Sequence, residues 1–572
     1  MLRTEADVVI VGAGPSGATL ATLLKKHRPA TSVLVLEKER FPRHKIGESL
    51  LVDVNRILVD MGVFEAVEAA GFSRKYGATF IWGDGRDPFH FLWKDGARIV
   101  RQPRGYQLDY TWHVDRSAYD GILVGRAREM GAEVLEGYAA SGVLVDGERV
   151  TGVTVVTPEG EEREVRARIV VDCANAHGPV HRRLSGKRLD ENLRNVALYG
   201  YLRGVRSHPD LNGVEEKRTL ILTHPEGWVW VIPLRDGITS VGFVTTVESF
   251  RKREPLDPVE RYREILASLR EHDVLFAGSE LVDYHGDGRL VRAIQEYSYQ
   301  CERIGGPGWV TCGNAAGFVD AILSIGVYVA QTHAQFLACA LRSVLDGDVE
   351  ESVAIDCYAT TVSENLAAFR AVAHMFYAFN TSMSDWWRAC SAQLRQSTLV
   401  PSAGDKGAFI AFFTGLSARS AIYEEAVNAF GGSFLLDVSA QLFGDSSADH
   451  DVFGDELAAE AAGARALIKR DPVLSSVAEV RTRPFVLPDV GQGRLCPVTR
   501  MDITTRAGGP DLSRRLYLPI ELAAVPALLD GTRRLSDVAR ALGGDPTTRA
   551  DVMKLAYRLA CMGAVEETGR PP

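Results

Sequence analysis

The tightest constraint on the fold sits at the N-terminus. Asp7-Val8-Val9-Ile10-Val11 is an apolar run that ends in Gly12-Ala13-Gly14-Pro15-Ser16-Gly17, and the residues after it, SGATLATLLKKH, carry apolar side chains at helical spacing. TSVLVLEK then reads as a second buried strand. Strand, glycine turn, helix and strand make a β-α-β unit, because parallel strands need a crossover and a helix is the usual one. The glycines are spaced G-x-G-x-x-G between strand and helix, as a dinucleotide site requires. Gly12 permits the tight turn, Gly14 lets a pyrophosphate approach the backbone, and Gly17 lets helix and strand pack closely. The phosphates would sit at the helix N-terminus, where unpaired N–H groups and the helix dipole favour an anion. Glu37 closes the second strand 20 residues past Gly17 and can accept from ribose hydroxyls. The motif alone does not separate NAD from FAD.

Composition excludes several classes. At 572 residues the chain is long enough for several domains. Lys+Arg 65 against Asp+Glu 74 gives a net charge of −9 without a basic block, which disfavours nucleic acid and anionic membrane surfaces as partners. There is no apolar run long enough for a membrane span. The N-terminus enters a strand without the regions of a signal peptide, and the eight cysteines are scattered, so a cytoplasmic protein is expected. His113, His177 and His333 belong to no Cys/His cluster, so no metal is expected.

Along the chain the pattern changes several times. Residues 76–113 and 191–285 carry aromatic, period-2 strands. RTLILTHPEGWVWVIPLRDGITSVGFVTT has turn signals at Pro225-Glu226-Gly227 and Asp236-Gly237 and reads as antiparallel hairpins. Residues 1–75, 114–190 and 286–350 read as three parts of a nucleotide-binding domain, and 351–481 as a mostly helical region. The Pro- and Gly-rich stretch 482–496 reads as a linker. Residues 497–572 read as a small helical module, winged-helix-like in pattern, expected to cover a substrate entrance or to dock a carrier domain.

DVVIVGAGPSG, FPRHKIGES at 41–49, DRSAYD at 115–120 and GWVTCGNAAGFVDAILSIGV at 308–327 together resemble the FAD-binding flavoproteins of the glutathione-reductase type. The expected fold is therefore α/β: a Rossmann FAD-binding domain of that type, an antiparallel-sheet substrate domain and a mostly helical C-terminal region. The resemblance implies that Arg43, Ser49 and Arg116 contact FAD, and that Asn314 takes the place of an acid beside the ribityl chain. Trp228-Val229-Trp230-Val231-Ile232-Pro233 is similar to the W-x-W-x-I-P strand of flavin-dependent halogenases, with Trp228, Trp230 and Pro233 as an active-site wall. Lys75, just before the strand GATFIWG, matches the lysine which that family places in the tunnel joining flavin and substrate.

That likeness implies an enzyme of secondary metabolism. Reduced FAD and oxygen would give a flavin hydroperoxide, chloride or bromide would be oxidised to hypohalous acid, and Lys75 would receive or orient the oxidant. Ser324-Ile325-Gly326 matches the family's halide turn, whose backbone N–H groups offer an anion nest. Leu323 stands where tryptophan halogenases carry a glutamate, which points to the branch acting on phenols, pyrroles or similar activated rings, with a carrier protein as implied partner. HMFYAFNTSMSDWWRACSAQLRQ at 374–396 is similar to helices of the same branch. No second Rossmann fingerprint is present, so a separate flavin reductase is expected to supply reduced FAD. A flavin monooxygenase or reductase/dehydrogenase on the same fold, without halide use, is the alternative. A non-catalytic binding protein that keeps the fold is a third reading.

Overall fold

The computed structural model describes residues 2–81, 89–93, 109–208, 217–252, 257–295, 297–378, 466–505, 512–518, 520–561 and 564–568. Two compact units are present: Met1–Asp95 with Gln102–Met383, and a second that takes in Ser384–Pro572.

The first unit is built on the β-α-β start. Glu5–Val11 lies between Glu162–Asp172 and Val33–Glu37, parallel to both, in an eight-stranded sheet continued by Trp309–Thr311 and Glu133–Glu136. Val8, Val9, Ile10, Leu34 and Val35 are fully buried, as a parallel strand covered on both faces demands. Two helices lie along this core, Pro15–His27 and Gly326–Asp346.

A second eight-stranded sheet carries the aromatic strands. Gly227–Pro233 is the centre of a meander, paired with Thr219–His224 on one side and Ile238–Thr246 on the other. The predicted turns are where they were expected. Asp236 and Gly237 both have positive φ (57° and 69°), in a three-residue loop closed by Leu234 N donating to the Ile238 carbonyl at 2.8 Å. One expectation is corrected: the sheet is mixed, because Thr219–His224 pairs parallel with Gly77–Ile81. Strand pairs distant in sequence have no turn between them, so no local signal marks their direction. Alternate residues divide the sheet's faces. Val229, Val231, Val241 and Phe243 pack with Tyr262, Ile265 and Leu266 in one core, and Trp228 and Trp230 project to the other side.

In the second unit, the segment expected as a linker at 482–496 is a β-hairpin. Glu479–Asp489 pairs antiparallel with Arg494–Thr505 through all eleven of its residues, and Leu512–Leu518 adds a third strand. Glu479–Asp489 is an edge strand, where Pro484 and Pro488 leave no central ladder donor missing. The module boundary at 497 moves for the same reason. Val473–Ser476 is the centre of a three-stranded sheet with Asp530–Arg534 and Val565–Glu567, so the unit's fold begins before residue 497. Helices Leu535–Ala541 and Pro546–Cys561 contribute Val538, Val552 and Leu555 to the same core as Leu474, Met501 and Leu516. Of the region read as helical, Glu351–Ala378 is a helix, and 379–465 lies outside the described residues, as does most of the 374–396 motif. Among the described residues no helix is long and apolar enough to cross a membrane.

Candidate active site

The three glycines behave as their spacing implies. Gly12 has φ 99°, and a Cβ there would meet the Cys173 carbonyl oxygen at 3.0 Å. A Cβ on Gly17 would fall 1.9 Å from the Gly12 carbonyl oxygen, so only glycine lets the helix start against the turn. A Cβ on Gly14 would meet nothing nearer than Arg43 Nη2 at 3.6 Å, which leaves the space beside its backbone open for a ligand. The helix that follows has no side-chain cap and no acidic residue in its first turn, so its N–H groups are available to phosphate.

Glu37 is 6% exposed. Its Oε2 accepts from Ala13 N (3.0 Å) and Arg43 Nη2 (3.3 Å), and its Oε1 from Glu39 N (3.1 Å). Arg43 also reaches Asp120 (3.3 Å), which binds Arg116 through two further contacts of 2.8 and 3.1 Å. Arg116 Nη1 donates to the Ile46 carbonyl at 2.8 Å. Both arginines are thus members of one buried ion-pair web that pins the 41–49 loop to the nucleotide-binding core. Arg43 Nε is buried without a hydrogen-bond partner, as is Asn314 Oδ1. A buried polar atom left unsatisfied carries a cost that a ligand would remove. The glycine cradle, the uncapped helix and these two atoms fit a dinucleotide with its ribityl chain beside Asn314.

Lys75 lies on a short strand, Ser73–Lys75, paired antiparallel with Thr111–His113. It is 1% exposed, and burial pushes its ammonium down to about 7. Its Nζ donates to Ser49 Oγ and to the Leu50 carbonyl, both at 2.8 Å, and lies 4.9 Å from the centre of the Trp93 ring. Ser49 is the junction of the site. Its hydroxyl is 3.0 Å from Thr219 Oγ1, which is 2.9 Å from His113 Nε2, and Ser324 Oγ donates to it at 3.2 Å. Burial, then the nearby Lys75 charge, holds His113 far below the usual imidazole range, so its ring is neutral. With the His113 proton on Nδ1, Nε2 accepts from Thr219, Thr219 accepts from Ser49, and Ser49 accepts from Lys75 and Ser324. A neutral Lys75 then has both N–H bonds engaged and its lone pair free.

The turn before the second long helix is held by side chains from three elements. Ser324 sits in the left-handed region (φ 54°), and Ile325 opens the helix without a side-chain cap. The Asp320 carboxylate accepts from Ile322 N (3.0 Å), Asn195 Nδ2 (3.1 Å) and the Tyr377 hydroxyl (3.0 Å). Tyr377 in turn accepts from Trp228 Nε1 at 2.9 Å, which ties the tryptophan strand to the turn. Gly326 leaves room for Phe318, since a Cβ there would approach that ring to 3.0 Å.

Trp228 and Trp230 stand 6.0 Å apart between ring centres on one face. Trp230 fits only because Gly242 lies opposite it: a Cβ on Gly242 would overlap the indole at 2.1 Å. Pro233 ends that strand, with its backbone against His113. On the same face Glu48 is 3% exposed and accepts from Tyr201 OH at 2.8 Å, with the Ser240 hydroxyl, which also meets Trp230 Nε1, near it. Burial raises its carboxyl to about 7.

Lys75, Ser49 and Ser324 are thus joined directly, and Trp228 reaches Ser324's turn through Tyr377. Glu37, Arg43, Arg116 and the glycines form the neighbouring cradle. Thr219, Tyr377 and Glu48 were not singled out from sequence, and His113 was weighed there only as a metal ligand. Glu48 lies inside the quoted FPRHKIGES motif and Tyr377 inside the 374–396 motif, so a signal was at hand. His113 and Thr219 had none, since each is made functional by a contact with a strand distant in sequence.

The sequence profile of the tryptophan halogenase family matches residues 7–101 and 93–403. A tryptophan 2-halogenase of Chondromyces crocatus is 33% identical over 393 residues, 68% of this chain and 71% of that protein. A 1H-pyrrole-2-carbonyl-[peptidyl-carrier protein] chlorinase of Pseudomonas fluorescens is 32% identical over 365 residues, 61% of this chain and 76% of that protein. Among solved structures, the myxobacterial chondrochloren halogenase CndH is 28% identical with a TM-score of 0.61, covering 69% of this chain and 90% of its own. The flavin-dependent halogenase CmlS, 24% identical, shares the fold over 99% of this chain and 96% of its own, with a TM-score of 0.67.

Proposed function

The chain belongs to the tryptophan halogenase family of flavin-dependent halogenases, and we propose that it halogenates an activated aromatic ring, a phenol or pyrrole, presented by a carrier protein. FAD is the cofactor and a halide the co-substrate of this enzyme class. Reduced FAD, oxygen, halide and a proton supply hypohalous acid, with oxidised FAD and water as the other products. The chain's own residues do the rest. The glycine cradle and Glu37 bind the dinucleotide, with Arg43 and Arg116 fixing the loop that carries Ser49. Asn314 takes a ribityl hydroxyl. Backbone N–H groups at Ile325 and Gly326 hold the halide, while Ser324 N closes the turn onto the Ala321 carbonyl at 3.1 Å. The neutral Lys75 amine attacks the halogen of hypohalous acid, giving a haloamine and water. The ring then takes the halogen and returns its proton to the amine, regenerating Lys75. Trp228, Trp230 and Pro233 form the wall that excludes water beside it.

The observation that carries this reading is the direct link from Lys75 through Ser49 to Ser324, at 2.8 and 3.2 Å. It couples a buried, readily deprotonated amine to the turn proposed to hold the halide. Leu323 supports the phenol or pyrrole branch, since it stands where tryptophan halogenases carry a glutamate. A relative that chlorinates a carrier-bound pyrrole supports the carrier as partner. A separate reductase is proposed to deliver reduced FAD.

The test is intact-mass analysis after incubation with reduced FAD, oxygen and chloride or bromide. Its arms are free tryptophan, a free phenol or pyrrole, and a carrier-bound pyrrole. Halogen incorporation into the phenol or pyrrole but not into tryptophan is the expected result. Hydroxylated or desaturated product without halide dependence would instead establish the monooxygenase or dehydrogenase alternative.

A further inference from the structure

The strand that carries Lys75 and the strand that carries the two tryptophans both end at a second feature. A pocket of about 430 Å³ is lined by Gly71, Phe72, Ser73, Arg74, Tyr76, Lys217, Arg235 and Asp236. That volume is within the ~300–1,000 Å³ of small-molecule sites. Ser73, Arg74 and Tyr76 flank Lys75 in sequence, and Arg235 lies just past Pro233. Three cations thus face one carboxylate.

The cations differ in their commitments. Arg74 pairs with Glu68 and lies over the Tyr110 ring. Arg235 donates to the Ala70 carbonyl at 3.3 Å and keeps only a loose 3.8 Å contact with Asp236. Lys217 donates to Ser73 Oγ at 2.9 Å and has no carboxylate partner among the described residues. Ser73 shares a strand face with Lys75, two residues away, which is roughly 7 Å along the strand. Phe72 and Tyr76 add ring surface beside the charges. An open depression with surplus positive charge and ring surface, on the strand that carries the reactive lysine, suits an anion held at the mouth of the site.

We propose that this pocket is an anion subsite for the substrate, in which Lys217 and Arg235 bind an oxyanion carried away from the ring to be halogenated. The proposal rests on the reading of Lys75 as the residue that meets the substrate. A phosphate on a carrier arm and a carboxylate on a free acid share this chemistry.

The experiment measures binding to the full chain with oxidised FAD bound, by calorimetry, without reductant or halide. The probes are 4′-phosphopantetheine against pantetheine, and pyrrole-2-carboxylate against its carboxamide. At least one anion should bind about tenfold or more tightly than its neutral partner, as charge-assisted hydrogen bonds allow. That preference should fall with salt, and it should disappear in both Lys217→Gln and Arg235→Gln. Arg235→Lys, which keeps the charge, should retain most of it and guards against a variant that fails to fold. Which pair shows the preference separates the phosphate from the carboxylate source. Equal binding within both pairs, or a preference that survives loss of both cations, overturns the subsite. Halogenation of neutral substrates would then still stand. Conversely, absence of halogenation with the preference intact would remove the reading of Lys75 and leave the anion site.

Discussion

Lys75 is where burial does the most chemical work. An exposed lysine is protonated at neutral pH, but this one is pushed down to about 7, so the amine is accessible to chemistry without a strong base. Two acceptors hold it and leave its lone pair unused. Lys75→Ala should keep FAD binding and hydrogen peroxide formation while lowering halogenated product by about two orders of magnitude, ~3 kcal/mol of transition-state stabilisation. Lys75→Arg should fail as well, since a guanidinium does not deprotonate and is too large for the space. If the amine is the active form, halogenation should rise with pH through about 7. A rate that falls through the same range would identify the ammonium instead. Linkage gives a second check. Between about 7 and the ordinary lysine value of 10.5, the unfolded chain holds a proton that the folded one lacks. Stability therefore rises with pH across that window, and the cost of burying the charge is fully present below it. Lys75→Met should accordingly raise Tm more at pH 6 than at pH 10. The lysine was legible because it precedes a recognisable strand. Thr219 and His113, which extend its hydrogen-bond chain through Ser49, were not, because what makes them functional is a contact between distant strands.

Elements place these residues, and the turn at 320–326 shows how. Its conformation depends on one carboxylate, Asp320, that collects hydrogen bonds from its own backbone, from Asn195 and from Tyr377. Burial raises Asp320 to about 6, so the charged form is held against desolvation by three donors. Asp320→Ala would remove the acceptor for Ile322 N and leave Tyr377 and Asn195 facing an empty space. The expected outcome is an apparent halide affinity lower by about tenfold, with FAD titration unchanged, because the glycine cradle lies on other elements. Loss of both would show that the turn supports the flavin and not the halide alone. The cradle itself has a separate test: Gly14→Val should abolish FAD binding by filling the space beside the backbone that Gly14 leaves open. Elements were legible in proportion to how local their cause is. The β-α-β unit and the Asp236-Gly237 hairpin are dictated by glycines and short-range periodicity. The parallel pairing of Gly77–Ile81 with Thr219–His224 and the strand nature of 482–496 depend on distant partners. Proline and glycine content argued for a linker in that last case, and only an edge position in a sheet makes the same residues compatible with a strand.

At the scale of the whole molecule, the corrected boundary changes what a truncation should do. A chain cut at Pro488 would lose Arg494–Thr505, the partner of Glu479–Asp489 along its entire length. It would also lose Asp530–Arg534 and Val565–Glu567, which flank Val473–Ser476 on both sides. Leu474, fully buried in the intact unit, would be left without Met501, Ile503, Leu516, Leu518 and Leu555 around it. An apolar strand with two unpaired edges is a template for aggregation, not a neutral stump. The unit boundary at Met383 offers the contrasting cut, since it removes Ser384–Pro572 and with it every described strand of the second unit, leaving none of them half paired. The 1–383 chain should therefore stay monodisperse and bind FAD, and the 1–488 chain should aggregate or be trimmed by protease back towards the unit boundary. In the full chain, protease should spare 482–496, because a paired hairpin does not offer the extended, unpaired backbone that a linker would. Size-exclusion chromatography, FAD titration and limited proteolysis of the three chains decide the matter. A 1–488 chain as monodisperse and protease-resistant as the full one would mean that strands 473–489 hold together without the partners assigned to them.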